Sequence, residues 1–458
     1  MADHPSEIEE AYIMVENDME TAAEHPNVTP DYLDSISQYV ESVSSSLRTI
    51  SLAIHDHPEL QYKEYDAHRV LTEFIEKQDG WRVRPSAYGI QTAFVAVYDS
   101  GRKGTTVSFN AEYDALAGIG HACGHNLIAV TSLAGALATA YVICEKQLAG
   151  KVVLFGTPAE EGGGGKIKLL NAGAYEDNQV DISLISHPGI SPDAALVRTA
   201  AYSAFKCEYF GKEAHAAARP WDGINALDAL ITAYNAISVL RQQTQPGDII
   251  QGQITHGGLR PNIIHAYSAG RFVVRSSSRA RLEALTKRVN ACFEAGATAT
   301  GAELKITPGG SYDDHMPNKA LGRSYRHFFN RLGGQIPRED VDIIESATMA
   351  STDQGNISYA MPSISPSCWI RSEDENGKQL GGPHTPDFEK AVRTMEAHEK
   401  AMRVGKALAA TALEVLIRPE LLASAKREFD ELKRADRRAF DQTIRPSGAV
   451  PLREVWSG

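Results

Sequence analysis

The sequence predicts an α/β protein: a central mixed sheet with helices on both faces, and a second unit of order βαββαβ inserted into it. Three observations carry this. From Gln91 to Lys168, short apolar runs alternate with helical patterns, as in a sheet covered on both sides. Residues 199–308 read strand, helix, two strands, helix, strand, the ferredoxin-like order that closes as a unit. From Lys319 the alternating pattern resumes and runs to about Ile417. A chain of 458 residues is long enough for two such domains.

Residues 1–30 read as a loosely attached arm. Asp31–Pro58 reads as a helix, because Ile36, Val40, Val43, Leu47, Ile50 and Ile54 recur at helical spacing. A second helix is expected around Ala67–Lys77. The strand candidates that follow are TAFVAVY, TTVSFNA and KVVLFGT, with a helix from Leu127 to about Glu145 between the last two. A short run, DISLIS, precedes His187, and residues 31–198 make the first part of the main domain. In 199–308 the strands AYSAFKCEYF, DIIQGQITH, NIIHAYSAGRFVVRS and AELKITP accompany the helices INALDALITAYNAISVLRQQ and RARLEALTKRVNACFEAGA. Residues 309–417 complete the main domain. The charged tail, 418–458, is expected to hold a solvated helix.

Composition narrows the function. Hydrophobic residues are 43% and charged residues 23%, ordinary for a globular protein. No apolar run reads as long enough to span a bilayer, so no membrane partner is expected. The net charge of −12 and the sparse Lys/Arg clusters argue against a nucleic-acid partner. The first residues are acidic and lack the basic and apolar regions of a secretory leader, so the expected compartment is the cytoplasm. Five scattered cysteines do not suggest a disulfide framework, which leaves a thiolate free to bind metal.

Four segments after strand-like runs carry candidate chemistry. In Gly120-His121-Ala122-Cys123-Gly124-His125-Asn126, a thiol and an imidazole flank a glycine that lets both face one point. Alone, this also fits a tight turn with a buried cysteine. In Thr157-Pro158-Ala159-Glu160-Glu161 and its glycine run, adjacent carboxylates can divide labour between metal binding and proton transfer. Alone, this also fits a solvated acidic turn, and no phosphate-loop Gly-Lys-Ser/Thr signature accompanies it. Ser186-His187-Pro188-Gly189 and Gly382-Pro383-His384-Thr385-Pro386 each add a histidine. Jointly the four strand ends supply one Cys, three His and two Glu, the set that a dinuclear centre needs. The inserted unit adds His215, Asn262 and Arg275, an imidazole, a carboxamide and a guanidinium suited to a carbonyl and a carboxylate.

The runs FNAEYDALAGIGHACGHN, GTPAEEGGGGK, SHPG, GKEAHAAARPWDGINALDA, RPNII, STDQGNISYAMPSI and HTPDF together resemble a known family. It is the aminoacylase and carboxypeptidase family of dinuclear metallo-exopeptidases, in its amidohydrolase branch with the aminobenzoyl-glutamate hydrolase and β-alanyl-lysine dipeptidase groups. The resemblance spans about Tyr32 to Ala412. It implies a zinc-exopeptidase-like fold and two divalent ions, Zn2+ by the softness of the thiolate, with Mn2+ or Co2+ as alternatives. Cys123 would bridge the ions, and His125, Glu161, His187 and His384 would complete their coordination. Glu160 would be the general base, and Asp114 would orient a ligand from behind. His215 would polarise the scissile carbonyl, in this family often from the partner subunit of a homodimer. Asn262 and Arg275 would hold the substrate's carboxylate, and the inserted unit would be the lid or dimerisation domain.

The expected activity is hydrolysis of an acyl-amino acid or dipeptide with a free carboxylate. Three departures from the family wording, Ser365, Gln354 and His265, are expected to fall in a substrate-facing loop. They leave open a biosynthetic homologue that forms an amide or transfers an acyl group. A non-catalytic binding protein is the third reading, and the full ligand set argues against it.

Overall fold

The structure, a computed structural model, describes residues 32–444, with side chains described to residue 438. The expected N-terminal arm lies outside the described residues. The central sheet has six strands: β1 (Trp81–Pro85), β2 (Phe94–Asp99), β3 (Thr106–Ala111), β4 (Lys151–Gly156), β5 (Ile182–Leu184) and a strand of two residues, Ser363–Ile364. Their order is β1-β2-β4-β3-β5 and then Ser363–Ile364. β3, β4, β5 and the last strand run parallel, while β1 and β2 are antiparallel at one edge. Every residue of β3 is buried, as a parallel strand covered on both faces requires.

Helix α1 (Leu33–Asp56) and helix α2 (Tyr65–Ile75) precede this sheet. Helix α3 (His125–Glu145) follows β3 and is buried nearly all round, with no polar face. It is long and apolar enough to cross a membrane, which corrects the expectation that no run is. Yet 89% of its apolar window is buried inside the protein, as in a core helix. The late helix Met395–Ile417 lies against it at close range. A methyl group on Gly405 of that helix would meet Ala134 Cβ at 2.8 Å.

The inserted unit has β7 (Ala201–Phe210), β8 (Ile249–His256), β9 (Tyr267–Ser276) and β10 (Glu303–Tyr312), all antiparallel, in the order β10-β7-β9-β8. Helices Ala226–Leu240 and Arg279–Thr300 pack on it around Phe205, Phe272 and Phe293. β6 (His187–Gly189) pairs in parallel with Ser367–Trp369 beside the main sheet.

The C-terminal helix Pro419–Ile444 forms as its charge pattern predicts, and its described residues are mostly exposed or half-buried, but one narrow stripe packs on the core. Ala425 is fully buried, and Leu421 and Leu422 pack against the main core. Glu428 accepts from the backbone N–H groups of Lys319 (2.7 Å) and Ala320 (3.0 Å), satisfying donors at a helix start. Further along, Asp436 Oδ2 accepts from Arg279 Nη2 of the inserted unit at 2.7 Å. The charges therefore mask a narrow apolar stripe, and the helix touches both parts of the fold.

Candidate metal centre

The candidate residues gather where the parallel strands end, the expected site for chemistry in such sheets. β3 leads into Glu112 and Asp114. Gly124, at φ 82°, turns the chain so that Cys123 and His125, the first residue of α3, face one point. A Cβ on Gly124 would also strike Pro188 Cγ at 2.6 Å, so only glycine fits there. β4 leads to Glu160 and Glu161 through Ala159, held at φ 61°. His384 has φ 71°, and its N–H donates to Ala122 O at 2.8 Å, which ties the last loop to the cysteine loop.

Donor atoms of Cys123, His125 and His187 lie within 4.8 Å of one another, and so do those of Cys123, Glu161 and His384. The two clusters share the Cys123 sulfur, as a bridging ligand would. The spacings match ligands on one cation: Cys123 Sγ to His187 Nε2 is 3.4 Å, and His384 Nε2 to Glu161 Oε1 is 3.2 Å. Bond lengths of about 2.0–2.3 Å place ligand atoms on a tetrahedral ion about 3.3–3.6 Å apart.

The groups behind these candidate ligands fix their orientation. Asp114 Oδ1 lies 3.1 Å from His125 Nδ1, which leaves Nε2 facing the cluster. Asp114 also accepts from the N–H groups of Glu160 and Glu161, each at 3.0 Å. His187 Nδ1 lies 2.7 Å from Pro188 O, so its Nε2 also faces inward. His125 Nε2 is buried and has no hydrogen-bond partner, the state of a nitrogen that awaits a cation.

The adjacent glutamates differ in charge preference. Burial, then the carboxylates of Glu112, Asp353 and Glu161, push Glu160 well above the ordinary carboxylate range. Glu161 is held down to about 2: burial opposes this, but the hydrogen bond from His384 and the charge of His125 prevail. Neighbours pushed apart in this way suit one proton carrier and one permanent ligand.

A cavity of about 800 Å³ opens beside the cluster, lined by Cys123, Glu160, Glu161, His187 and His384 and, farther out, by Tyr202 and Arg275. Arg275 Nη1 donates to Ser351 Oγ at 2.8 Å and to Met349 O at 3.2 Å. His215 and Asn262 do not line this cavity. They lie together on the inserted unit, where Ala216 N donates to Asn262 O at 3.1 Å. The His215 ring is held in its own turn, its Nδ1 accepting from Ala217 N and Ala218 N.

Residues 101–411 match the family described as Peptidase family M20/M25/M40. The chain belongs to this family. It is accordingly a metal-dependent hydrolase of peptide or amide bonds. The Xaa-Arg dipeptidase of Homo sapiens is 39% identical to it, over 85% of this chain and 90% of that protein. A p-aminobenzoyl-glutamate hydrolase chain of Escherichia coli is 26% identical, over 70% of each chain. A solved dinuclear metal-binding M20 peptidase from Bacillus subtilis has the same fold, with a TM-score of 0.60 at 19% identity. The match covers 82% of this chain and 98% of that one.

In this M20 chain, two expectations about the departures need correction. Ser365 lines the cavity, but Gln354 is buried behind it, its Oε1 accepting from Asn110 Nδ2 at 2.8 Å. His265 belongs to the inserted unit, packed on Gly258. Glu112 and Lys166 also stand at the site, and neither was expected from the sequence. Glu112 could have been found from its place two residues before Asp114. Lys166, after the glycine run, reads as a surface residue until its burial is known.

Proposed function

We propose that the chain is a dinuclear metallodipeptidase that cleaves an amide whose amine side is an amino acid with a free carboxylate and a cationic side chain. The observation that carries this is the pair of donor clusters sharing Cys123, set beside Glu160 in one cavity. Cys123, His125, His187, Glu161 and His384 would hold the two ions, and the thiolate would favour Zn2+. When bound, divalent ions there polarise the scissile carbonyl and make water a stronger acid.

The protein's own residues do the rest. Glu160 takes a proton from the attacking water as the C–O bond forms. It returns that proton to the amine nitrogen as the C–N bond breaks. Arg275 receives the substrate carboxylate, its guanidinium steadied by Ser351 and by the Tyr202 ring, 5.2 Å from the ring centre. A cationic side chain is supported by the Xaa-Arg relative and by Glu345. That exposed carboxylate lines the cavity and has no ion pair among the described residues. The other outer carboxylates are engaged: Asp193 by Lys400 at 2.6 Å, and Asp342 by the Ala195 N–H at 3.1 Å.

His215 and Asn262 complete a second subunit's cavity in a homodimer joined through the inserted unit, which acts as lid and dimerisation domain. The cytoplasm, a reducing compartment, suits a free thiolate ligand. The test is a panel of dipeptides and acyl-amino acids assayed before and after removal of metal by a chelator. Activity on dipeptides with C-terminal Lys or Arg is expected, lost on chelation and regained with Zn2+, Mn2+ or Co2+. Undiminished turnover in the chelated enzyme would sink the proposal.

A further inference from the structure

Behind the cluster lies a buried ion group that none of the roles above uses. Lys166 is completely buried, and its Nζ donates to Glu112 Oε1 and to Asp353 Oδ1, each at 2.5 Å. Asp353 holds the same residue a second time, its Oδ2 accepting from the Lys166 backbone N–H at 2.9 Å. Burying an ammonium is costly and needs such pairing. One carboxylate would pair it; here two converge, and only one oxygen of Glu112 is used.

The other oxygen, Oε2, is buried and has no hydrogen-bond partner, although Glu112 is 1% exposed. It points toward the centre, 3.5 Å from His125 Nε2, which is likewise without a partner. With the His125 proton on Nδ1, toward Asp114, these two atoms present lone pairs to each other. Facing lone pairs repel unless a proton or a metal cation lies between them; the two atoms make no hydrogen bond, and 3.5 Å is again the separation of two ligands on one ion. Donor atoms of Glu112, His125 and Glu160 lie within 4.8 Å of one another.

We propose that Glu112 is a further ligand of the ion held by His125, and that Lys166, anchored by Asp353, is the positioning residue that presents it. This rests on the dinuclear reading above. Lys166 fixes one oxygen so that the other is aimed, much as Asp114 aims the imidazole. A carboxylate on that ion adds negative charge and raises affinity for a divalent cation.

The test is cobalt binding to the full chain, followed by chelator competition and by the visible spectrum of bound Co2+. The native protein is expected to bind two ions. Glu112→Gln is expected to keep one ion unchanged and to weaken the other by about tenfold to a hundredfold. The intensity of its visible bands should change as the ligand set changes. Lys166→Met should weaken the same ion by a smaller factor.

Glu112→Gln leaves Lys166 paired with Asp353 but upsets a buried group of three charges, so the triple variant Glu112→Gln/Lys166→Met/Asp353→Asn removes that group as a unit. If the triple variant still loses affinity for that one ion, Glu112 is a ligand. If it recovers native affinity and spectrum, Glu112 is only the counter-ion of Lys166, and the proposal fails. Native-like affinity in Glu112→Gln alone also overturns it. A native chain that binds fewer than two ions would instead overturn the dinuclear reading.

Discussion

At Glu160, burial and the carboxylates of Glu112, Asp353 and Glu161 raise the carboxyl above the ordinary range, while at Glu161 the hydrogen bond from His384 and the charge of His125 outweigh burial and hold it low. Glu160→Gln keeps the shape and removes the carboxylate proposed to carry the proton. Turnover is expected to fall by about 10² or more, with metal content by mass spectrometry unchanged; near-native turnover would mean another base acts. Glu345→Gln is expected to raise KM for dipeptides ending in Lys or Arg several-fold and to leave neutral dipeptides alone. An equal change on both sets would show that Glu345 does not read charge. The five ligand candidates were legible in the sequence because they sit on four recognisable loops, with Cys123 and His125 sharing one. Glu112 and Lys166 were not, because their meaning depends on a carboxylate 187 residues away in the chain from Lys166. His215 and Asn262 were legible as residue types, but no spacing rule says which cavity they complete.

Among the elements, helix His125–Glu145 shows how packing limits sequence. The facing helix approaches it through Gly405, where a Cβ would lie 3.1 Å from Thr131 O as well as against Ala134. Gly405→Val is expected to lower stability by about 1–3 kcal/mol through overpacking, measured by denaturant unfolding; an unchanged midpoint would mean the helices separate freely. Long apolar or alternating runs such as TTVSFNA and AYSAFKCEYF stood out in the sequence and form β3 and β7. β1 did not, since Trp81–Pro85 has two exposed arginines in five residues and is an edge strand. The run expected from Asn262 begins only at Tyr267 as β9, because residues 262–266 serve the turn that holds His215. The tail helix stood out by its charge, but the stripe of Leu421, Leu422 and Ala425 that packs on the core was too narrow to read.

For the whole molecule, buried histidines set the response to acid. Burial lowers His315 and His398 each to about 4, below the ordinary value near 6.5. The unfolded chain therefore takes up protons first as pH falls. The stability that each contributes is complete above about pH 6.5 and gone below about pH 4, up to about 3 kcal/mol for a shift of this size. Glu64 works the other way: burial raises it to about 7, so its effect on stability grows less favourable as pH rises toward that value. The variant His315→Gln isolates one contribution. Its unfolding midpoint should depend less steeply on pH between about 6.5 and 4 than that of the native chain. A slope equal to the native one would show that His315 titrates normally.

The insertion of one sheet inside another has a consequence for synthesis. β7 to β10 lie within residues 201–312, so that unit has all its partners once Tyr312 has left the ribosome. The surrounding sheet must wait for Ser363–Ile364 to pair with β5, and Lys166 must wait for Asp353. A nascent chain stalled between these points holds a finished inner unit and an open outer sheet with a half-paired buried ammonium. That interval is when the growing chain most needs protection from aggregation.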